Sequence, residues 1–99
     1  MEKGRHAEIY QKLAMKDMLT GLNNRNAYIS DLDSLTACND IMIVTFDLNN
    51  LKKCNDNLGH SEGDTYILNA AKIIKEVFSP YGSCYRIGGD EFCVMIKNA

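Results

Sequence analysis

Two successive glycines, Gly88 and Gly89, separate an apolar-rich run ending at Ile87 from a second one beginning at Phe92. Such a pair predicts a tight antiparallel hairpin, because glycine alone enters positive φ freely at both central positions of the favoured two-residue turn. The flanking strands are expected over about 83–87 and 90–96. Asp90 and Glu91 then stand where the second strand begins. Side chains alternate along a strand, which places Glu91, Cys93 and Met95 on one face and Asp90, Phe92 and Val94 on the other. Acids aimed at opposite faces suit different roles. Taken alone, the same two acids also fit a solvated hairpin tip.

Upstream, residues 41–46 are almost wholly apolar, β-branched or aromatic, which suits a central strand covered on both faces. The run ends at Asp47. A carboxylate at the carboxyl end of a buried strand, followed at once by a helix start, is a recurring ligand position, since the first helical amides are unpaired and act as anion donors. Asn49, Asn50, Leu51 and Lys52 open that short helix, and Lys52 adds a cation within reach of a phosphate. The alternative is that Asp47 and Asn49 only cap the helix.

Three longer helices are expected. The first covers residues 1–16, with Ile9, Leu13 and Tyr10 at helical spacing, and the second covers 25–37, with Tyr28, Leu32 and Leu35 on one stripe. The third runs from Ser61 to Phe78, buries Ile67, Ala70, Ala71, Ile74, Val77 and Phe78, and is closed by Pro80. Ser61 and Asp64 match a Ser-x-x-Asp capping pattern. The loop 17–24 carries Asp17, expected as a structural carboxylate paired with Arg86 or Arg25. The order strand, short helix, long helix, strand, strand predicts an α+β domain, the βααββ core of a palm-like, ferredoxin-related fold.

Ninety-nine residues allow one domain. A net charge of −2 without a Lys/Arg run gives no footprint for nucleic acid or an anionic membrane surface. No stretch has the length or apolarity of a membrane span or a signal peptide. The four cysteines, Cys38, Cys54, Cys84 and Cys93, lack metal-type spacing and are expected as reduced thiols, which with the other features points to the cytoplasm.

Arg86 to Phe92 reads RIGGDEF, which resembles the signature of the GGDEF family, the diguanylate cyclases that condense two GTP into cyclic di-GMP. Three further blocks match in the family's order: Asp17 to Arg25 (DMLTGLNNR), Phe46 to Lys52 (FDLNNLK), and Asn55-Asp56 followed by Gly59-His60 and Gly63-Asp64. The resemblance covers residues 17–99 as a partial domain that stops after the strand following the signature, without the family's last helix and strand elements. It implies an upstream sensory domain joined through helix 1–16.

The resemblance implies Mg²⁺ (or Mn²⁺) held by Asp47, Glu91 and the carbonyl of Leu48, with Asp90 and Glu91 as the catalytic acids and Asp90 near the attacking 3′-hydroxyl. It implies a phosphate site at Asn49, Asn50, Leu51 and Lys52, and a guanine site at Asn55 and Asp64. A carboxylate accepts from guanine N1–H and N2–H₂, and an amide donates to O6; adenine offers neither donor pair on that edge. One domain holds one GTP, so turnover is expected from a homodimer. Asn49 stands where the family usually has a second Asp, and Leu51 where it usually has Phe. Ser79 and Gly82 occupy the positions of the family's Arg-x-x-Asp feedback motif, so no inhibitory site is expected. The alternative is a catalytically inactive GTP-binding or dimerising module.

Overall fold

The computed structural model describes residues 14–35, 40–49 and 60–97. Its elements are α1 (Arg25–Asp33), β1 (Ile41–Asp47), α2 (His60–Phe78), β2 (Ser83–Arg86) and β3 (Glu91–Lys97). The expected helix 1–16 and the short helix at 49–52 lie almost wholly outside the described residues, as do Asn50, Leu51, Lys52 and Asn55.

The three strands form one antiparallel sheet in the order β1-β3-β2. Among the described residues the hairpin strand β3 is therefore central and β1 lies at the edge, where the sequence predicts a central strand over residues 41–46. β1 and β3 each carry five apolar residues in seven, yet Met42 of β1 is 51% and Ile43 40% exposed, while Phe92 and Val94 of β3 are fully buried. A strand paired on both edges and covered on both faces needs apolar residues at consecutive positions, and Phe92-Cys93-Val94-Met95 supplies them. Burying Phe92 alone contributes about 1.5–3 kcal/mol.

One helix packs on each face. Ile67, Ala71 and Ile74 of α2 meet Cys84, Phe92 and Val94, with Leu22 from the lead-in loop. Ala27 of α1, flanked by Tyr28 and Leu32, meets Tyr85, Cys93 and Met95. The alternation expected along β3 is thus observed. Phe46 and Phe78 meet in a tilted arrangement with centroids 5.3 Å apart and tie the end of β1 to the end of α2. On the other face Tyr85 meets Tyr28 edge-on and donates its hydroxyl to Asp31. Burial first, and that bond second, push the Tyr85 hydroxyl up from its ordinary pKa.

α1 starts where expected, with the Asn24 side chain accepting from the Ala27 amide at 3.0 Å. It stops at Asp33 with Ser34 as its cap, short of the predicted Ala37. Asp31 and Asp33 sit at the negative end of the helix dipole, which opposes extension. α2 starts at His60, which puts Ser61 inside the helix, where its carbonyl accepts from Thr65 Oγ1 at 3.0 Å. The capping-box alternative for Asp64 is corrected accordingly.

The hairpin turn also departs from expectation. β2 ends at Arg86 and β3 begins at Glu91, leaving four residues, Ile87 to Asp90, between them. Among the described glycines only Gly21 has positive φ, at 75°. The turn is closed by the Ile87 amide donating to the Glu91 carbonyl at 2.9 Å. A longer loop spreads the reversal over more residues, so Gly88 and Gly89 are not required by backbone conformation.

Candidate active site

The ladder between β1 and β3 pairs Phe46 with Phe92 and Asp47 with Glu91. Beyond it, the Leu48 amide donates to the Asp90 carbonyl at 2.9 Å. Hydrogen-bonded and non-hydrogen-bonded pairs alternate along an antiparallel ladder, so Asp47 and Glu91 form a non-hydrogen-bonded pair, the kind whose Cα atoms approach to about 4.5 Å. Directly opposed residues project from the same face. Asp47 and Glu91, both exposed, therefore share one face at the end of two strands. They line a cleft of about 340 Å³ with Thr45, Phe46, Phe92 and Cys93.

Two carboxylates so placed repel each other unless a cation lies between them. Their oxygens are hard donors, and the Leu48 carbonyl follows Asp47 directly. Mg²⁺ is commonly held by one or two carboxylates together with substrate phosphates, and this donor set fits that habit. Among the described residues no three His, Cys, Asp or Glu side chains gather into one group. Asp90 precedes the pair as the last residue of the turn and is half-buried.

The lead-in loop holds the hairpin from behind. Arg86 Nη1 lies 3.1 Å from both carboxylate oxygens of Asp17, and Arg86 Nη2 donates to the Gly89 carbonyl at 3.2 Å. The expected partner of Asp17 is thus Arg86; Arg25 is exposed at the start of α1 and lines the neighbouring cavity with Asp17, Asn24 and Gly88. Arg86 Nε is buried without a partner among the described residues. Thr20 donates both its amide (2.8 Å) and its hydroxyl (2.7 Å) to Asp17. Burial pushes the Asp17 carboxyl up, but the bonds from Thr20 and Arg86 outweigh it and hold the pKa below the ordinary value. Gly21, whose amide donates to the Asp17 carbonyl at 2.9 Å, supplies the positive φ that closes this loop. The spacing Asp17-x-x-Thr20 is a legible signal for that hydroxyl contact, and the sequence reading missed it.

Asp64 is exposed on the early part of α2. Asn49 is exposed just past β1, and its carbonyl accepts from Tyr66 Oη at 2.8 Å. Cys84 and Cys93 are free and buried in the two cores, and burial pushes both thiols up. Gly82, at one of the feedback-motif positions, lies so close to β3 that a Cβ there would stand 2.2 Å from the Met95 carbonyl oxygen. That position is occupied for packing.

An antiparallel sheet whose hairpin head carries acids opposite a strand-end acid, with one helix on each face, defines a palm-like α+β domain. The sequence profile described as "Diguanylate cyclase, GGDEF domain" matches residues 14–99, and the chain belongs to the GGDEF family. It is 33% identical over 102 residues to a probable diguanylate cyclase, DgcJ, of Escherichia coli, covering 95% of this chain and 21% of that protein. The coiled coil and GGDEF domain of DgcB from Caulobacter crescentus, solved in complex with c-di-GMP, superposes with a TM-score of 0.86 at 30% identity, over 99% of this chain and 54% of that one. The diguanylate cyclase SiaD of Pseudomonas aeruginosa, solved with its activator SiaC, gives 0.79 at 25% identity, over 99% and 40%. The chain thus spans about a fifth of the curated relative and about half of the solved DgcB chain. No helix among the described residues is long and apolar enough to cross a membrane.

Proposed function

We propose that this chain is the nucleotide-handling part of a diguanylate cyclase, which joins two GTP into cyclic di-GMP and releases two pyrophosphates. The observation that carries this reading is the opposition of Asp47 and Glu91 at the head of the hairpin that also bears Asp90. In each of two equivalent steps the 3′-oxygen of one GTP forms a bond to the α-phosphorus of the other. The bond from that phosphorus to the bridging oxygen breaks, and pyrophosphate leaves with the electron pair. Asp90 positions the 3′-hydroxyl and accepts its proton.

Asp47, Glu91 and the Leu48 carbonyl would hold Mg²⁺ or Mn²⁺, which when bound neutralises charge on the phosphate oxygens. Asn49, Asn50, Leu51 and Lys52 hold the triphosphate, and Asp64 with Asn55 selects guanine. One site carries one nucleotide, so two copies meet across a two-fold axis with their sites facing. Gly88 and Gly89 support the same reading. A Cβ at Gly89 would meet nothing within 4 Å, and at Gly88 only Glu91 Cβ at 3.9 Å. With neither strain nor crowding to require glycine, close approach of a ligand to the turn backbone is the remaining use. The parent protein acts in the cytoplasm, with a regulatory segment upstream.

The test is incubation with GTP and Mg²⁺, with products separated and oligomeric state recorded in the same sample. Cyclic di-GMP formed at a rate rising faster than linearly with protein concentration is the expected result. Magnesium-dependent GTP binding without product would leave a binding module, and folded protein that binds no GTP would overturn the reading.

A further inference from the structure

The segment that leaves β1 is fastened at two points. On one side the Leu48 amide donates to the Asp90 carbonyl of the hairpin at 2.9 Å. On the other, the hydroxyl of Tyr66, on α2, donates to the Asn49 carbonyl at 2.8 Å across 17 residues of sequence. A carbonyl held in one direction limits the rotation of the backbone at Asn49. Asn49 opens the stretch assigned above to the triphosphate. Tyr66 also lies two residues beyond Asp64, on the helix assigned to the guanine base. Tyr66 is half-buried, and its hydroxyl reaches across to Asn49.

We propose that Tyr66 is a positioning residue: through its hydroxyl it holds the Leu48–Asn49 backbone beside Asp47 for the triphosphate and couples those two residues to the base-holding helix. This rests on the cyclase reading above. Asn49 needs such an outside tether because its side chain is exposed and its carbonyl lies beyond the last ladder pair of β1, Asp47 with Glu91. A net hydrogen bond is worth about a two- to tenfold change in an equilibrium constant.

The experiment compares the protein with Tyr66→Phe, which keeps the ring and removes only the oxygen. Mg²⁺-dependent GTP binding is measured by calorimetry and guanosine binding by NMR titration, with the thermal midpoint recorded for both proteins. The expected result is a two- to tenfold loss of GTP affinity in Tyr66→Phe with guanosine affinity unchanged. A loss shared equally by GTP and guanosine would mark Tyr66 as a structural residue of α2 and overturn the inference. So would unchanged GTP affinity. If the unsubstituted protein binds no GTP, the cyclase reading itself falls, an outcome distinct from either.

Discussion

Asp47 and Glu91 are direct cross-strand partners, one closing β1 and the other opening β3, with no ladder hydrogen bond between them to hold their side chains apart. Like charges in that relationship destabilise a sheet by a few tenths of a kcal/mol up to about 1 kcal/mol. Glu91→Gln is therefore expected to raise the thermal midpoint slightly in EDTA while lowering Mg²⁺-dependent GTP binding at least tenfold. Thermal melts with and without Mg²⁺, alongside calorimetric titration, check both signs. A drop in stability without metal would show Glu91 to be a structural acid.

The two glycine positions near the hairpin should behave oppositely. Gly82→Ala forces a Cβ onto the Met95 carbonyl and is expected to cost about 1–3 kcal/mol or more of stability, read by denaturant unfolding. Gly89→Ala meets no atom within 4 Å and is expected to leave stability within about 0.5 kcal/mol while weakening GTP binding. Normal GTP affinity in Gly89→Ala would remove the ligand explanation for that residue.

Asp17 supplies the pH dependence. Its pKa in the folded protein lies below the ordinary carboxylate value, so its contribution is fully present above that value, about 3.9, and is lost as pH falls through the folded pKa. Asp17→Asn is expected to cost about 1–3 kcal/mol near neutral pH, because it removes a charged partner shared by Arg86 and Thr20. The gap between the two proteins should close as pH falls below 4. Denaturation midpoints at pH 7, 5 and 3 test this; a gap independent of pH would assign the effect to packing instead.

Asp64 is exposed on α2, and Ser61 is inside the helix rather than at its cap. Asp64→Ser is accordingly expected to leave the helical signal unchanged and to weaken GTP at least tenfold, with ATP little affected. Competition binding with the two nucleotides decides, and equal losses would count against the guanine assignment.

Much of this domain is written locally. The hairpin acids, the apolar run ending at Asp47, the apolar stripe of α2 apart from Val77, which is 52% exposed, and the alternation along β3 all follow from chain periodicity and from residue chemistry at short range. So does the candidate pairing of Asp17 with an arginine, since a guanidinium matches a carboxylate in charge and geometry. Which cation it takes is not local: Arg25 and Arg86 offer the same chemistry, and the parallel bridge between Asn23 and Tyr85 brings the loop to Arg86.

Strand order, likewise, lies outside local pattern. β1 reads as a buried strand because residues 41–44 and Phe46 are apolar, yet among the described residues β3 is the strand paired on both edges. The turn at Ile87 to Asp90 is set by register with β1 and β2 rather than by the φ freedom of its glycines. The bond from Tyr66 to Asn49 spans two elements whose meeting is decided by packing of α2 on the sheet. Periodicity and composition specify what each segment buries. Only burial against the other segments selects among partners of equal chemistry, because the free energy that separates those choices resides in contacts distant along the chain.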